Sequence, residues 1–354
     1  MKQLWPVLCV ILAVGIEAFR GPPLVVFVIS ILSIFLLVGV LGIATEKLAG
    51  KLGQTVGGLL NASMSNLAEL IIGTVALVNG YATVAKASIT GSILANLLLG
   101  LGLAIVVGDL RHGNLRFESA HLRSSSSMLM LCSFCFIVPA VFNLGTPDGT
   151  RDLSLEMSLV LLAVYFVNVF GTIFSKSSGI TSNGGESSDN EEEKFQDEHP
   201  QESMGQIIMV MIVAALGLGF ASETMANALE PTSELLGLSE TFSGLIFLGA
   251  VGSLGEIISG TRFARKGQSG LLLASTMGTT IQIVLVVAPL LVIIGRLIGQ
   301  PMDLAFTSFE VVSIVLASVI TRELVQDGKA NWFEGVLLIA TYIIIAIGYF
   351  HLPN

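Results

Sequence analysis

The stretch Gly57–Gly73, GGLLNASMSNLAELIIG, decides the fold, because it is an apolar segment of membrane-spanning character with a carboxylate in its middle. Glu69 is that carboxylate, and Asn66 and Ser65 precede it by three and four residues. On a helix these three side chains share one face. An ionisable group inside a membrane span is costly, so the default interpretation is a functional site with a partner nearby.

The partner lies in the second half of the chain, where a similar segment recurs 187 residues later. Glu256 is the residue that aligns with Glu69 at this offset. Further matched pairs are Gly57 and Gly244, Asn66 and Ser253, Ile71 and Ile258, Gly73 and Gly260, Ser88 and Ser275, Gly91 and Gly278, and Ser92 and Thr279. The pattern predicts that one site is built twice.

The composition indicates a polytopic membrane protein, since 53% of the 354 residues are hydrophobic and only 12% are charged. The net charge of -9 argues against a nucleic-acid partner. Much of the acidic excess falls in one polar stretch, which contains Glu186, Asp189, Glu191, Glu192, Glu193, Asp197, Glu198 and Glu202. Two roles stay open for this stretch, a solvated linker and a regulatory Ca²⁺ sensor.

Apolar runs of membrane length predict an all-α polytopic membrane protein with eleven transmembrane helices. The runs cover about residues 4–18, 24–45, 56–78, 87–107, 127–142, 153–174, 205–228, 242–261, 271–294, 304–320 and 333–350. A signal peptide is the alternative for the first run, but no small-residue cleavage site follows it, which favours a retained helix.

The predicted organisation is an inverted-topology 5+5 repeat that follows one N-terminal helix. Its parts are the N-terminal transmembrane helix (1–20), a first repeat (21–175), an acidic cytoplasmic linker (176–204) and a second repeat (205–354). An odd number of helices in each set forces the halves into opposite orientations. Inverted repeats with polar, glycine-interrupted segments at matching positions are typical of secondary transporters whose site lies at the bilayer midplane.

The basic residues of the predicted loops divide unequally between the two sides of the membrane. One side holds Lys2, Lys47, Lys51, Arg111, Arg116, Arg123, Lys176, Lys194, Arg262, Arg265, Lys266, Arg322 and Lys329. The other side holds Arg20, Lys86, Arg151 and Arg296. The positive-inside rule therefore predicts a cytoplasmic N-terminus and a cytoplasmic acidic linker, in a multi-pass protein that we expect in a prokaryotic cell membrane.

Glu69 and Glu256 are expected to meet near the middle of the membrane. Two negative charges there cannot stand alone, because burial and mutual repulsion both disfavour the charged forms. A divalent cation would neutralise the pair and so would two protons, which is the physical basis for exchange. Ca²⁺ takes about six to eight oxygen ligands. The predicted auxiliary ligands are Asn66, Ser253, Ser92, Thr279, Asn96, Gln282 and carbonyls freed where glycines break the helices.

Each of these residues also has a purely structural interpretation. Carboxylates can lock helices together, amides such as Asn96 and Gln282 can hydrogen-bond between helices, and Ser92 and Thr279 can bond the carbonyl one turn back. Glu46 and Glu223, within the similar triplets Ala-Thr-Glu and Ala-Ser-Glu, are candidates for a gate or permeation role. Helix anchoring is the expected role of Glu310 and Glu334.

The two signature segments resemble those of a known family. They are similar to the two repeats of the calcium/proton exchangers in the cation/calcium exchanger superfamily. The first is GGLLNASMSNLAELIIG, followed by GSILANLLL, and the second is GAVGSLGEIISG, followed by GTTIQIVL. GIATEKLAG and the C-terminal WFEGVLLIATYIIIAIGYF extend the resemblance over nearly the whole chain. It implies that Glu69 and Glu256 bind the cation and the protons, that Asn66, Asn96 and Gln282 line the site, and that transport proceeds by alternating access.

The sequence departs from the family's usual pattern in three places. Ser65-Asn66 stands where the family has Gly-Asn, Gly252-Ser253 stands in the second repeat, and Ile257 occupies a position where histidine is common. Proton steps assigned to that histidine would fall to carboxylates in this chain. Selectivity among divalent cations therefore stays open.

The expected function is secondary active exchange of Ca²⁺ for H⁺, with no cofactor. The alternatives are sodium-coupled calcium exchange and broader divalent-cation/proton antiport on the same fold. Sodium-coupled relatives typically carry another carboxylate on the ninth helix, where this chain has Gln282 among neutral residues. No H-E-x-x-H or G-x-S-x-G motif occurs, so an enzyme is not expected. Ca²⁺, H⁺ and the lipid bilayer are the expected partners, and a homo-oligomer stays open.

Overall fold

The computed structural model describes residue 15 and residues 21–52, 64–113, 115–117, 119–142, 147–177 and 203–352. Almost all of the predicted first helix, the beginning of the Gly57–Gly73 stretch and the acidic linker lie outside the described residues. Within them the protein is almost wholly helical. Its helices are α1 (Pro23–Leu52), α2 (Leu67–Val78), α3 (Ala82–His112), α4 (Ser119–Cys135), α5 (Ile137–Val141), α6 (Pro147–Ser177), α7 (Met204–Leu236), α8 (Glu240–Gly252), α9 (Leu254–Arg265), α10 (Ser269–Leu297), α11 (Ser308–Val325) and α12 (Trp332–Phe350).

Each predicted helix from the second to the eleventh overlaps one or two of these helices. By length and apolar composition, six helices of the described part can each cross a membrane alone, namely α1, α3, α6, α7, α10 and α12. The bent pair α8 and α9 makes a seventh if it is counted as one span. α11 is not among them, since it carries Glu310, Arg322 and Glu323. Within the described residues the structure thus supports a multi-pass helical protein with six or seven self-sufficient spans.

The structure differs from the predicted fold in three details. A short antiparallel pairing of β1 (Leu115–Arg116) with β2 (Lys329–Ala330) adds two strands to a fold predicted to be all-α. α11 begins at Ser308, later than the predicted start at residue 304, because the Thr307 side chain caps the helix and Glu310 completes the capping box. α1 continues to Leu52, beyond the predicted end near residue 45.

The centre of the molecule is a backbone-to-backbone contact between α3 and α8. Gly91 faces the carbonyl of Leu245, and a Cβ added to Gly249 would lie 2.5 Å from the Gly91 Cα. A Cβ added to Gly244 would also lie too close to α3, at 2.8 Å from the Val84 carbonyl oxygen. Only glycine allows this close approach. Around this contact α1 packs along α7, and α6 packs on α10.

Contacts among the connecting segments fall into two groups at opposite ends of the helices. At one end His112 Nε2 lies 2.8 Å from the Arg265 carbonyl oxygen, and β1 pairs with β2. At the other end Lys86 forms a 3.0 Å ion pair with Asp303, and Tyr81 donates a hydrogen bond to Glu230 at 3.2 Å. This grouping agrees with the two-sided distribution of loops that the basic residues indicate.

Candidate cation-binding site

Both predicted glutamates lie in the first turn of a helix that begins at a break. α2 begins after Asn66, and α9 begins after Ser253, where the axes of α8 and α9 differ by 48°. The ψ angles of Asn66 and Ser253 are 14° and 4°, outside the α-helical region. A helix N-terminus stabilises negative charge near its first turn. Each break therefore presents its glutamate where a helix favours a carboxylate.

The side chain of Glu69 reaches across to the second half of the chain. A Cβ added to Gly252 would lie 3.4 Å from the Glu69 Cγ, which is direct contact with the end of α8. Gly252 directly precedes Ser253 and the start of α9, whose first turn carries Glu256, so Glu69 lies against the break that presents the second glutamate. Both glutamates are buried, with 6% and 7% of their surfaces exposed. The structure thus brings the two predicted carboxylates into one site.

Several polar atoms of the predicted site residues are buried without a hydrogen-bond partner in the described part of the chain. They are both carboxylate oxygens of Glu69, Oε2 of Glu256, Oδ1 of Asn66, and Oδ1 of Asn96 together with its Nδ2. A buried polar atom left unpaired costs about 1–3 kcal/mol, and native proteins keep few of them. Unpaired acceptor atoms on two buried carboxylates and two buried amides suit a cation or protons that complete their coordination.

The serines of α3 line a small cavity together with Glu69. Ser88 and Ser92 both face this cavity. Ser92 donates a 3.1 Å hydrogen bond to the carbonyl of Gly249, and its own carbonyl accepts one from the Ser253 hydroxyl at 3.4 Å. Ser92 therefore links α3 to the break between α8 and α9, rather than bonding one turn back in its own helix.

Thr279, which matches Ser92 in the second half, behaves differently. Its hydroxyl donates to the Ser275 carbonyl at 2.9 Å, one turn back in the same helix, and lies 3.2 Å from the Thr276 carbonyl. Its proton is therefore used locally, and only its lone pairs remain for a ligand. The two matched hydroxyls thus have different partners.

Gln282 makes hydrogen bonds to another segment, which is the purely structural role that the sequence also allowed for this amide. Its side-chain oxygen accepts from Asn66 Nδ2 at 2.7 Å and from the Ser65 hydroxyl at 3.1 Å. This leaves the Asn66 oxygen free in the buried interior. In this arrangement the Asn66 oxygen has no hydrogen-bond partner among the described residues, whereas the oxygen of Gln282 is already occupied.

Two π-helical segments adjoin the predicted amide ligands. Ala95–Gly100 in α3 contains Asn96, which is fully buried, and Ile283–Val287 in α10 directly follows Gln282. A π-helical turn widens the helix locally and often occurs at functional sites. Both amides are thus placed at irregular points of long central helices.

The remaining acidic candidates lie elsewhere. Glu46 on α1 and Glu223 on α7 are exposed, unlike the buried pair. Glu310 and Glu334 each complete a capping box at the start of α11 and α12, in agreement with the predicted anchoring role. Among the described residues no group of three or more His, Cys, Asp or Glu side chains could hold a metal ion. Glu69 and Glu256 therefore remain the candidate carboxylate ligands.

Sequence reasoning did not nominate two residues that the structure adds. Ser88 lines the cavity beside Glu69, and the Ser275 hydroxyl donates to the backbone carbonyl of Glu256 at 3.2 Å. These serines occupy matching positions at the 187-residue offset, so the repeat itself was the available signal. The contact between Gly252 and Glu69 was also not predicted. Gly252 contributes no side chain, and its part in the contact is to leave room for the Glu69 side chain.

Comparison with known proteins gives consistent relatives over nearly the whole chain. The profile of the family described as "Sodium/calcium exchanger protein" matches residues 22–174 and 206–350. A protein of Aphanothece halophytica named Ca(2+)/H(+) antiporter is 35% identical over 338 residues, covering 93% of this chain and 90% of that protein. The Ca(2+)/H(+) antiporter ChaA of Bacillus subtilis (strain 168) is 33% identical over 331 residues, covering 93% of each. The crystal structure of the Ca²⁺/H⁺ antiporter protein YfkE is similar with a TM-score of 0.84 at 30% identity, covering 99% of each chain.

Proposed function

The chain belongs to the sodium/calcium exchanger protein family, and from this membership we propose that it is a secondary active antiporter that exchanges Ca²⁺ for H⁺ across a membrane. Relatives that cover more than nine-tenths of the chain carry the name Ca²⁺/H⁺ antiporter. The observation that carries the proposal is the pair Glu69 and Glu256, which come from opposite halves, are both buried and keep carboxylate oxygens without a hydrogen-bond partner among the described residues.

In the proposed mechanism Ca²⁺ and protons compete for the same carboxylate oxygens. Ca²⁺ neutralises Glu69 and Glu256 together, with the Asn66 side-chain oxygen and nearby hydroxyl and carbonyl oxygens as further ligands. Two protons neutralise the same pair once Ca²⁺ has left. The empty, doubly charged site is too costly to move between the two sides, because burial and mutual repulsion both oppose it. Transport of one ion is therefore tied to return of the other.

Energy for uphill Ca²⁺ movement comes from the proton gradient. Each pH unit across the membrane supplies about 1.36 kcal/mol per proton. Exchange of two protons for one Ca²⁺ moves no net charge. A third proton would add coupling to the membrane potential, worth about 2.3 kcal/mol per 100 mV for each charge.

The two-repeat organisation is part of the proposal and has three independent supports. The family profile matches the chain twice, on either side of the proposed linker at 176–204. The helix breaks at Asn66 and Ser253 are 187 residues apart, as the sequence offset requires. The π-helical segments Ala95–Gly100 and Ile283–Val287 end at that same offset. We retain the division into 1–20, 21–175, 176–204 and 205–354, with the N-terminus and linker in the cytoplasm.

Glu46 and Glu223 are proposed to act in the gate or permeation path rather than in binding the cation. They lie on α1 and α7, which pack along each other, and both side chains are exposed. Acidic groups in such positions can attract Ca²⁺ toward the site without holding it there. This role accounts for their difference in burial from Glu69 and Glu256.

Proteoliposomes that contain the purified protein test the proposed function directly. An imposed pH gradient should drive saturable ⁴⁵Ca²⁺ uptake, and a Na⁺ gradient of equal size at uniform pH should not. Competition by Mn²⁺ and Mg²⁺ measures selectivity in the same vesicles. Uptake that follows the Na⁺ gradient would assign the protein to sodium-coupled exchange, and uptake that needs neither gradient would contradict antiport.

A further inference from the structure

A hydrogen bond from α11 reaches the π-helical segment of α3 that carries Asn96. The Thr321 hydroxyl donates to the backbone carbonyl of Leu97 at 3.3 Å, and both residues are fully buried, as is Asn96. On α10, by contrast, the hydroxyls of Thr276 and Thr280 donate to carbonyls one turn back in their own helix, which is the ordinary use of a buried threonine. Thr321 uses its hydroxyl to join two helices.

The Leu97 carbonyl needs this donor because α3 is π-helical at this point. In an α-helix the backbone N–H of Leu101 would donate to Leu97, four residues back. In this segment it donates to the carbonyls of Asn96 and Leu98. The Leu97 carbonyl thereby loses its usual α-helical donor, and buried carbonyls are rarely left without one. The Thr321 hydroxyl supplies a donor, so its hydrogen bond favours the π-helical form of the segment.

The same segment packs on the helix that carries Glu256. Gly100 lies against α9, since a Cβ added there would be 3.0 Å from Ile257 Cγ1, and Ile257 directly follows Glu256. Asn96, nearer the start of the segment, has both polar side-chain atoms buried without a partner among the described residues. A π-helical turn holds more residues than an α-helical turn. The form of the segment therefore decides in which direction Asn96 points relative to Gly100 and α9.

We propose that Thr321 is a positioning residue for Ca²⁺ binding, which holds the π-helical segment in the form that directs Asn96 toward the cation. This role rests on the proposed function, since it takes Asn96 as a ligand of Ca²⁺. Thr321 acts through the backbone of α3 and does not contact the cation. Its loss should therefore weaken Ca²⁺ binding while Glu69 and Glu256 stay in place.

Equilibrium binding of ⁴⁵Ca²⁺ to the purified full-length protein in detergent tests this role. Thr321→Val keeps the shape of the side chain but removes the hydroxyl, and it should raise the Kd for Ca²⁺ about two- to tenfold. Thr321→Ser keeps the hydroxyl and should bind as the wild type does. Ser318→Ala is the control on α11, because the fully buried Ser318 hydroxyl also joins two helices but bonds to Ser133 on α4. It should leave the Kd unchanged.

A double variant shows whether Thr321 acts through Asn96. Asn96→Ala should raise the Kd for Ca²⁺ by itself, and adding Thr321→Val should then raise it no further, because the group being positioned is already gone. An equal rise with and without Asn96 would overturn the proposal.

Hydrogen exchange of the peptide that spans residues 95–102, measured by mass spectrometry without Ca²⁺, reports on the segment independently of transport. Exchange should be faster in Thr321→Val and unchanged in Ser318→Ala. Wild-type exchange in Thr321→Val, or a wild-type Kd in that variant, would overturn the role of Thr321 alone. A wild-type protein that binds no ⁴⁵Ca²⁺ would contradict the proposed function itself.

Discussion

The side-chain nitrogen of Asn66 donates a 2.7 Å hydrogen bond to the side-chain oxygen of Gln282, which ties the break before α2 to α10. The two residues are 216 positions apart in the chain. Because the bond uses the amide nitrogen, it fixes the Asn66 oxygen in the opposite direction, where it is buried and has no partner among the described residues. A residue of the second half therefore sets how Asn66 presents its oxygen.

Gln282→Leu should weaken Ca²⁺ binding through this contact. The substitution removes the Gln282 oxygen that accepts from the Asn66 amide and the Ser65 hydroxyl, so Asn66 loses its direct tie to α10 and can rotate. One lost hydrogen bond is worth about 0.5–1.5 kcal/mol, which corresponds to a rise of about two- to tenfold in the apparent KM for Ca²⁺. Gln300→Leu, the same change at an exposed position, is the control for the flux assay. Equal KM values for both variants would remove Gln282 from the site.

Glu69→Gln and Glu256→Gln should each abolish Ca²⁺ uptake driven by a pH gradient. Each substitution keeps the shape of the side chain but removes a charge that the cation needs and a group that carries the proton. Glu310→Gln is the matched control, since Glu310 is also buried but completes a capping box, a role that glutamine can fill. Gel filtration of all three variants checks that each is folded. Wild-type flux in either site variant would contradict the proposed chemistry.

Acidification on the side from which Ca²⁺ is taken up should raise the apparent KM for Ca²⁺ and leave the maximal rate unchanged. Protons occupy the carboxylate oxygens as pH falls, and Ca²⁺ must then displace them. For each competing proton the apparent KM for Ca²⁺ rises by up to about tenfold for every unit by which the pH falls. Initial rates of ⁴⁵Ca²⁺ uptake across a series of external pH values measure this slope. A pH series that alters the maximal rate at constant KM would indicate that protons act at another site.

Gly91→Ala should destabilise the protein, because its methyl group would collide with the carbonyl of Leu245 on α8. Overpacking of this kind costs about 1–3 kcal/mol, and a backbone group cannot turn aside as a side chain can. Gly42→Ala is the control on α1, where no described atom lies within 4 Å of the added Cβ and alanine is the better helix former. Thermal unfolding in detergent should show a lower midpoint for Gly91→Ala alone. Equal midpoints would mean that α3 and α8 are less closely packed.

The positions of the helices could be predicted because apolar runs of membrane length have few alternatives. The start of α11 could not be placed, since residues 304–307 are compatible in composition with a helix, and only the cap formed by Thr307 and Glu310 ends the ambiguity. The pairing of Leu115–Arg116 with Lys329–Ala330 escaped prediction because two residues carry no periodicity.

The sequence by itself determined which residues could form the site, because a repeat of charged and polar groups within apolar helices is costly unless it serves a function. Glu69, Glu256 and Asn66 are recognisable as candidates on that ground alone. Only the tertiary structure decided how their neighbours are used. Ser92 and Thr279 match in sequence, yet one bonds across to Gly249 and the other bonds within its own helix. Hydrogen-bond partners depend on which backbones approach closely, and that is set by the packing of α3 against α8 rather than by residue type.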